Sequence, residues 1–356
     1  MPAHLYALDD ALLVHLLSFC AARDVEATTK ASRVVALHLL PQYPEIWRVL
    51  FVRQWGKLNF KLDAVTEDAR NLQIDSRLRE LFPAECTETR MFQLLSRSVV
   101  PLPSGMDIGA TQNSWGYSDT HHRIVPLEQE KGANQGNYSS VTTFAFDGKR
   151  FGNDRSVRAN APFPASFYVA VFKRRVQDKT SKKEMFVYQI GATESGYFEI
   201  TISDPATRPS GHTTRNGRVE MTAIGLVPST FPLVGKQPGW TIPSFGYHGD
   251  NGKLYSAFPV TPFLPGASRY IPCDNDQEWF PAVGLDSPDT IHVNFGQQPF
   301  KCDHVIGAFI ECTGTNALVA RQILQNANKS RFRAVRRNCI DAFIANVLER
   351  RRLTTT

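Results

Sequence analysis

At 356 residues the chain is too long for one small domain and can bury a sizeable core, so about two domains are expected. Apolar residues at 42% and charged residues at 21% exclude an intrinsically disordered chain and fit a soluble globular one. The net charge of +6 is modest but uneven: after Asn316, Arg321, Lys329, Arg331, Arg333, Arg336, Arg337 and Arg350 to Arg352 face only Asp341 and Glu349, which suits a solvated helix face or, alternatively, an acidic partner or nucleic acid.

Residues 5–20 read as a helix with Asp9 or Asp10 as its cap. At helical spacing, Leu5, Leu8, Leu12, Leu16 and Phe19 form one stripe, and Leu13, Leu17 and Cys20 lie beside it. The arc is roughly 180° wide against the ~100° that a helix on one core needs, so this helix is expected to bury two sides. Asp24 is expected to cap a second helix through Ala27, Ala31, Val34 and Val35, and Pro44-Glu45 to open a third through Ile46, Trp47, Leu50 and Phe51. Three short helices make a marginal core, and a partner protein is the natural cover for the second apolar side.

Residues 8–51 resemble an F-box: Leu12-Leu13 and Leu16-Leu17-Ser18-Phe19, then Arg23-Asp24-Val25, then Ile46-Trp47-Arg48. Two family features depart, since Leu8-Asp9 stands for the usual Leu-Pro and Ser32-Arg33-Val34-Val35 for the second-helix Cys-Arg-x-Trp. The resemblance implies a Skp1-like adaptor held by Leu8, Leu12, Leu13, Leu16, Leu17, Phe19, Ile46 and Trp47.

Two helical segments follow, one carrying Leu72, Leu78, Leu81 and Phe82, the other Met91, Phe92, Leu94 and Leu95 behind Thr87. Residues 101–137, rich in Pro, Gly, Ser and Asn around Trp115, Tyr117, His121 and His122, read as a linker or long loop, and the two histidines as solvated rather than metal-bound.

A β-domain is expected from about Ser139. Tyr197, Glu199 and Thr201 alternate with Phe198, Ile200 and Ile202, as in a sandwich strand with one buried face. Residues 240–252 alternate aromatic and small side chains and close on Asp250-Asn251-Gly252, a tight-turn signature. Pro238-Gly239-Trp240, Gly246-Tyr247-His248-Gly249-Asp250-Asn251-Gly252, Phe280-Pro281-Ala282-Val283-Gly284-Leu285 and Asn294-Phe295-Gly296 stand in the order in which the SPRY (B30.2) family carries its motifs. Ser156-Val157-Arg158-Ala159 and the strand at 196–202 resemble two further family segments.

The chain is thus similar to F-box/SPRY substrate receptors of ubiquitin ligases. The implied fold is multidomain α+β: a helical F-box-like domain at 1–57, a helical connector at 58–100, the linker at 101–137, an antiparallel SPRY β-sandwich of concanavalin-like jelly-roll type at 138–312, and basic amphipathic helices at 313–356. In the last of these, Ile340, Phe343, Ile344, Val347 and Leu348 recur at helical spacing after an apolar strand at 305–310.

Two features depart from the SPRY pattern. An inserted hairpin spans residues 167–192, with Lys173-Arg174-Arg175 and the 179–183 basic run. The strand pair normally found after the Gly-Tyr-His-Gly turn is missing, and Pro259, Pro262, Pro265 and Pro272 make central strands improbable at 255–278. Either the hairpin covers the resulting open edge, or a coding segment is missing from the sequence.

The resemblance implies that SPRY loops bind a target protein or peptide, with Arg158, Asn160, Pro162, Lys236, Gln237, Trp240 and Tyr247 at the binding positions, although Trp240 and Tyr247 also suit supporting roles. No catalytic motif is present; His248 beside Asp250 is the one conceivable base, and no nucleophile accompanies it. A non-enzymatic subunit without cofactor or metal is expected. Cys20, Cys86, Cys273, Cys302, Cys312 and Cys339 are scattered without a C-x-x-C pair, and neither a signal peptide nor a membrane span is indicated, so the cytoplasm or nucleus is expected. The function implied is the substrate-recognition subunit of an SCF-type ligase with a cullin. The alternatives are an interaction scaffold that recruits no cullin and a nucleic-acid-associated protein using the basic tail.

Overall fold

The structure is a computed structural model that describes residues 8–62, 71–80, 82–96, 98–114, 122–127, 140–148, 154–164, 168–193, 196–203, 221–256, 258–262, 278–287 and 289–301. Helices are α1 (Asp10–Leu17), α2 (Ala22–Ala31), α3 (Leu40–Gln42), α4 (Ile46–Leu58), α5 (Ser76–Glu80), α6 (Glu88–Leu95) and α7 (Ile108–Gln112). Strands are β1 (Leu72–Ile74), β2 (Met106–Asp107), β3 (His122–Pro126), β4 (Thr143–Gly148), β5 (Arg155–Ala159), β6 (Tyr168–Gln177), β7 (Glu184–Thr193), β8 (Glu199–Ser203), β9 (Met221–Val227), β10 (Phe245–His248), β11 (Lys253–Ser256), β12 (Phe258–Pro262), β13 (Phe280–Asp286) and β14 (Thr290–Asn294). Two compact units result: Met1–Val100 with Phe167–Glu194 and Lys301–Thr356, and Pro101–Ser166 with Ser195–Phe300.

The first unit is helical with one small sheet. Asp9 caps α1, its carboxylate accepting from the Leu12 N–H at 2.7 Å. Asp24, expected as a cap, instead lies in the first turn of α2 behind Ala21, where its charge favours the positive end of the helix. The second helix is shorter than its apolar pattern suggests: Ser32 leaves helical geometry and its hydroxyl accepts from the Val35 N–H at 3.4 Å, opening a separate π-helical turn at Val35–Leu39. The long α4 buries Ile46, Trp47, Leu50, Phe51, Val52 and Trp55, and Thr87 caps α6, which buries Met91, Phe92, Leu94 and Leu95. The rings of Phe51 and Phe92 meet edge-on at 5.9 Å, with the Arg48 guanidinium 4.8 Å above Phe92 and ion-paired to Glu88.

The inserted hairpin belongs to this unit. β6 and β7 pair antiparallel over their full length, and β7 pairs in parallel with β1, Leu72 opposite Tyr188 and Ile74 opposite Ile190. Among the described residues the hairpin pairs with β1 and with neither sheet of the sandwich, and Val187, Tyr188 and Ile190 are buried. Leu72, read as helical, is a strand residue for the same reason.

The second unit is a sandwich of a seven-stranded sheet, ordered β12-β11-β10-β9-β13-β5-β2, and a four-stranded sheet, ordered β3-β4-β14-β8. Inward side chains alternate along each strand, so Val157 faces Val283 across β5 and β13 while Ile291 faces Phe144 across β14 and β4. With Met106, Ile124, Phe146 and Leu285 they form the core, and Phe198 and Ile200 pack against it. Burial of each such side chain contributes about 1.5–3 kcal/mol, which makes this cluster the main source of the unit's stability.

Two boundaries shift. Residues 101–114 and 122–127, the described part of the expected linker, belong to the sandwich: β2 pairs with β5, β3 with β4, and Met106, Ile108 and Ile124 are fully buried, because these apolar residues outweigh their Pro- and Gly-rich surroundings. After the turn at 249–252, β11 and β12 form an edge hairpin in which Pro259 lies opposite Tyr255 and Pro262 opposite Lys253, with a bulge between Leu254 and Tyr255. Proline without an N–H is tolerated at an edge, so the prolines exclude a central strand and not this one. Leu5, Leu81, Trp115, Tyr117, His121, the strand expected at 305–310 and the helices expected at 313–356 lie outside the described residues.

Candidate functional site

Two surfaces carry the residues singled out in the sequence. On α1 the broad apolar arc is divided between core and solvent. Leu13 and Leu17 are buried, whereas Leu12 is 44%, Leu16 47% and Phe19 58% exposed, one stripe at i, i+4 and i+7. Phe19 is held in its exposed position: the Arg53 guanidinium lies 4.3 Å from its ring centroid and also donates to the Ser18 carbonyl, and the His15 ring meets it edge-on at 5.0 Å. Leu8 is half-buried, and Ile46 and Trp47 are inside the helical core, where they support this surface without belonging to it. Sequence reasoning missed Val34 (50%) and Leu37 (66%), which are also exposed. Their signal is faint: Val35 and Leu39, four apart, make the buried stripe of that turn, and Val34 and Leu37 fall off it.

On the sandwich, the Pro-Gly-Trp segment and the glycines of the later motifs have one joint cause. After β9 the chain folds back over the outer face of the seven-stranded sheet, packing Phe231 and Leu233 on Val227 and Ala282. Val234 bridges to Arg155, and Gly235, at φ +74°, turns residues 236–240 across β13, β9, β10 and β11 as a strap. A Cβ at Gly284 would strike Gln237, one at Gly246 would lie 2.0 Å from the Pro238 carbonyl oxygen, and one at Gly225 would lie 1.9 Å from the Phe245 carbonyl oxygen of β10 and 2.8 Å from Pro238. Three strands thus carry glycine where the strap passes.

Polar bonds hold the strap from beneath. The Ser156 hydroxyl donates to the Lys236 carbonyl at 2.8 Å, the Gln237 amide donates to Asp154 at 3.0 Å, and His248 Nε2 lies 2.8 Å from the Pro238 carbonyl. A carbonyl only accepts, so this nitrogen carries the proton. His248 is fully buried, its ring centroid 4.3 Å from that of Tyr255 and 6.0 Å from that of Trp240. The imidazole that stood out beside Asp250 is engaged as a clamp on the strap.

The expected target-binding residues do not form one patch. Arg158 lies on the outer face, its guanidinium 5.1 Å from the Phe280 ring centroid and bonded to the Ser229 carbonyl. Asn160 fixes the preceding loop, accepting from the Ser104 N–H at 3.1 Å and donating to its hydroxyl at 3.0 Å, and Pro162 is half-buried two residues on. Gln237 is fully buried; Lys236 is exposed, and Trp240 is exposed at the far end of the strap. Tyr247 lies opposite Ile224, which lies opposite Val283, a core residue, so Tyr247 is on the other face of the sheet from Arg158 and Trp240. Ile242, 76% exposed beside Trp240, was not singled out. The Ser244 hydroxyl ties its loop down, accepting from the Gly239 N–H at 2.9 Å and donating to the Thr241 carbonyl.

Among the described residues no group of three or more His, Cys, Asp or Glu is placed to hold a metal ion, and no helix is long and apolar enough to cross a membrane.

No family model matches the chain. It is 28% identical over 137 residues to the Ran-binding proteins 9/10 homolog of Drosophila melanogaster, a match covering 31% of this chain and 13% of that protein. It is 40% identical over 63 residues to human SPRY domain-containing protein 3, covering 18% of this chain and 12% of that protein. The chain therefore spans only a small part of either relative. A crystal structure of a human SPRY domain is similar to 49% of this chain and 98% of its own, at 18% identity and a TM-score of 0.24. The sequence likenesses support a SPRY domain here, and with it a protein-interaction role for the β-sandwich.

Proposed function

We propose that this chain is the substrate-recognition subunit of an SCF-type ubiquitin ligase. The α1 stripe holds a Skp1-like adaptor that brings the cullin, the outer face and loops of the sandwich hold a target protein, and ubiquitin transfer takes place on other subunits in the cytoplasm or nucleus. The observation that carries the reading is the exposure of Leu12, Leu16 and Phe19 on a helix whose other apolar side already fills the core. Covering the exposed half of three such side chains contributes about 2–4 kcal/mol before the costs of association, so this stripe favours a bound partner. Two tethered binding units then raise the effective concentration of target lysines near the conjugating enzyme. Trp240 and Ile242, apolar and exposed on a loop fixed by Ser244, supply the anchors expected of a target surface.

Affinity purification of the full chain from cells, with mass spectrometry of its partners, tests the reading. A Skp1-like adaptor and a cullin recovered together support it. The adaptor without a cullin points to a scaffold, and recovery of neither rejects the ligase role.

A further inference from the structure

We propose that the tip of the β6–β7 hairpin is a docking site for an acidic protein segment that also carries apolar side chains. The inference is independent of the adaptor and target surfaces above. From Lys173 to Phe186 six cations, Lys173, Arg174, Arg175, Lys179, Lys182 and Lys183, stand against Asp178 and Glu184 alone. Nearer its root the hairpin is buried on both strands, at Val169, Val171, Tyr188 and Ile190, so it is anchored as a rigid arm. Beyond Lys173 the side chains emerge into solvent.

The tip itself is preorganised. Asp178 accepts from the Thr180 N–H at 3.1 Å, the Ser181 N–H at 3.0 Å and the Ser181 hydroxyl at 2.5 Å, while Gln177 donates to the Lys182 carbonyl at 3.1 Å. Lys182 sits at φ +57°, a conformation held by these bonds. A turn whose backbone is already ordered loses less entropy on meeting an anionic partner, and a field of one sign accelerates encounter.

Apolar exposure selects a protein over a nucleic acid. Met185 is 39% and Phe186 44% exposed, on opposite faces of the hairpin, Phe186 opposite Arg175 and Met185 opposite Val176. The Lys173 ammonium lies 5.0 Å from the Phe186 ring centroid, so one ring face already carries a cation and the ring is a poor platform for a stacked base. Methionine, aromatic and arginine side chains together are the composition of a protein interface core.

The test uses the full chain and a fluorescein-labelled synthetic peptide repeating Glu-Leu-Asp-Phe, read by fluorescence anisotropy. Saturable binding that weakens with salt is expected, and the combined variant Arg174→Glu, Lys179→Glu, Lys183→Glu should weaken it by about tenfold or more. Met185→Ser with Phe186→Ser should weaken it with the charges intact, while hydrogen exchange over residues 168–173 and 187–193 shows the arm still paired. Absence of binding, equal binding by the charge variant, or equal binding of a peptide with Gln and Asn for its acids would each overturn the proposal. So would stronger competition by a single- or double-stranded oligonucleotide of matched charge.

Discussion

Replacing Gly246 by alanine should dislodge the strap and destabilise the sandwich. The new Cβ would lie 2.0 Å from the Pro238 carbonyl oxygen and 2.5 Å from its carbonyl carbon, and both are backbone atoms that no rotamer change can move aside. The strap must lift by more than an ångström, which breaks the 2.8 Å His248–Pro238 bond and leaves a buried imidazole without its acceptor. Overpacking costs about 1–3 kcal/mol and the stranded polar group about 1–3 kcal/mol more, so a loss on the order of 3–5 kcal/mol is expected. The reduced entropy of the unfolded alanine chain offsets at most about 1 kcal/mol of this. Such a loss is a large fraction of a domain's stability. The assay is urea unfolding with hydrogen exchange read on peptides from 221–256, so that the sandwich is measured apart from the helical unit. A variant with stability within about 0.5 kcal/mol of the parent would refute the strap as the reason for this glycine.

Gly56, inside α4 with open space around its Cα, should behave oppositely: Gly56→Ala is expected to raise the stability of the helical unit by about 0.5–1 kcal/mol in thermal unfolding. Ile190→Asp would place an unpaired charge in a buried strand beside β1, and should abolish hydrogen-exchange protection at 72–74 and in the hairpin while leaving that of β9 and β13 intact. Loss of protection in the sandwich alone would return the hairpin to that unit. The Asp178 carboxyl, held below the ordinary aspartate range near 3.8 first by the Ser181 hydroxyl and then by the Thr180 and Ser181 N–H groups, favours the ordered tip when ionised. Its contribution is therefore complete above the unfolded value and lost as pH falls through the lowered folded one; NMR should show the tip amides unchanged from pH 7 to 5 and shifting only in the acid range.

Much of the sandwich was legible because its strands carry strong local patterns. Alternation at 197–202 and the Gly-Tyr-His-Gly turn correspond to β8 and to the β10–β11 connection as observed. The glycines were readable as strand markers, yet their reason lies in contacts made only on folding: Gly246 and Gly284 are small because residues 236–240 cross them, and Gly225 because the Phe245 carbonyl of β10 and Pro238 both crowd it. Local propensity misled at 101–114 and 122–127, where Pro and Gly suggested a linker while Met106, Ile108 and Ile124 were already core residues. It misled again at Leu72, whose strand exists only because β7 lies alongside. A parallel pairing over more than a hundred residues leaves no trace in a window of sequence. On α1, the apolar arc was expected to be buried on two sides, and only Leu13 and Leu17 are, while Leu12, Leu16 and Phe19 are exposed.

That division supplies the most direct measurement of the proposed role. Leu17 is buried, so its replacement unfolds the unit and tests nothing, whereas Leu12 and Leu16 are exposed. The full chain with Leu12→Glu and Leu16→Glu, compared with the parent for capture of a purified Skp1-like adaptor, should lose binding while keeping its unfolding transition. Undiminished capture by this folded variant would contradict the account.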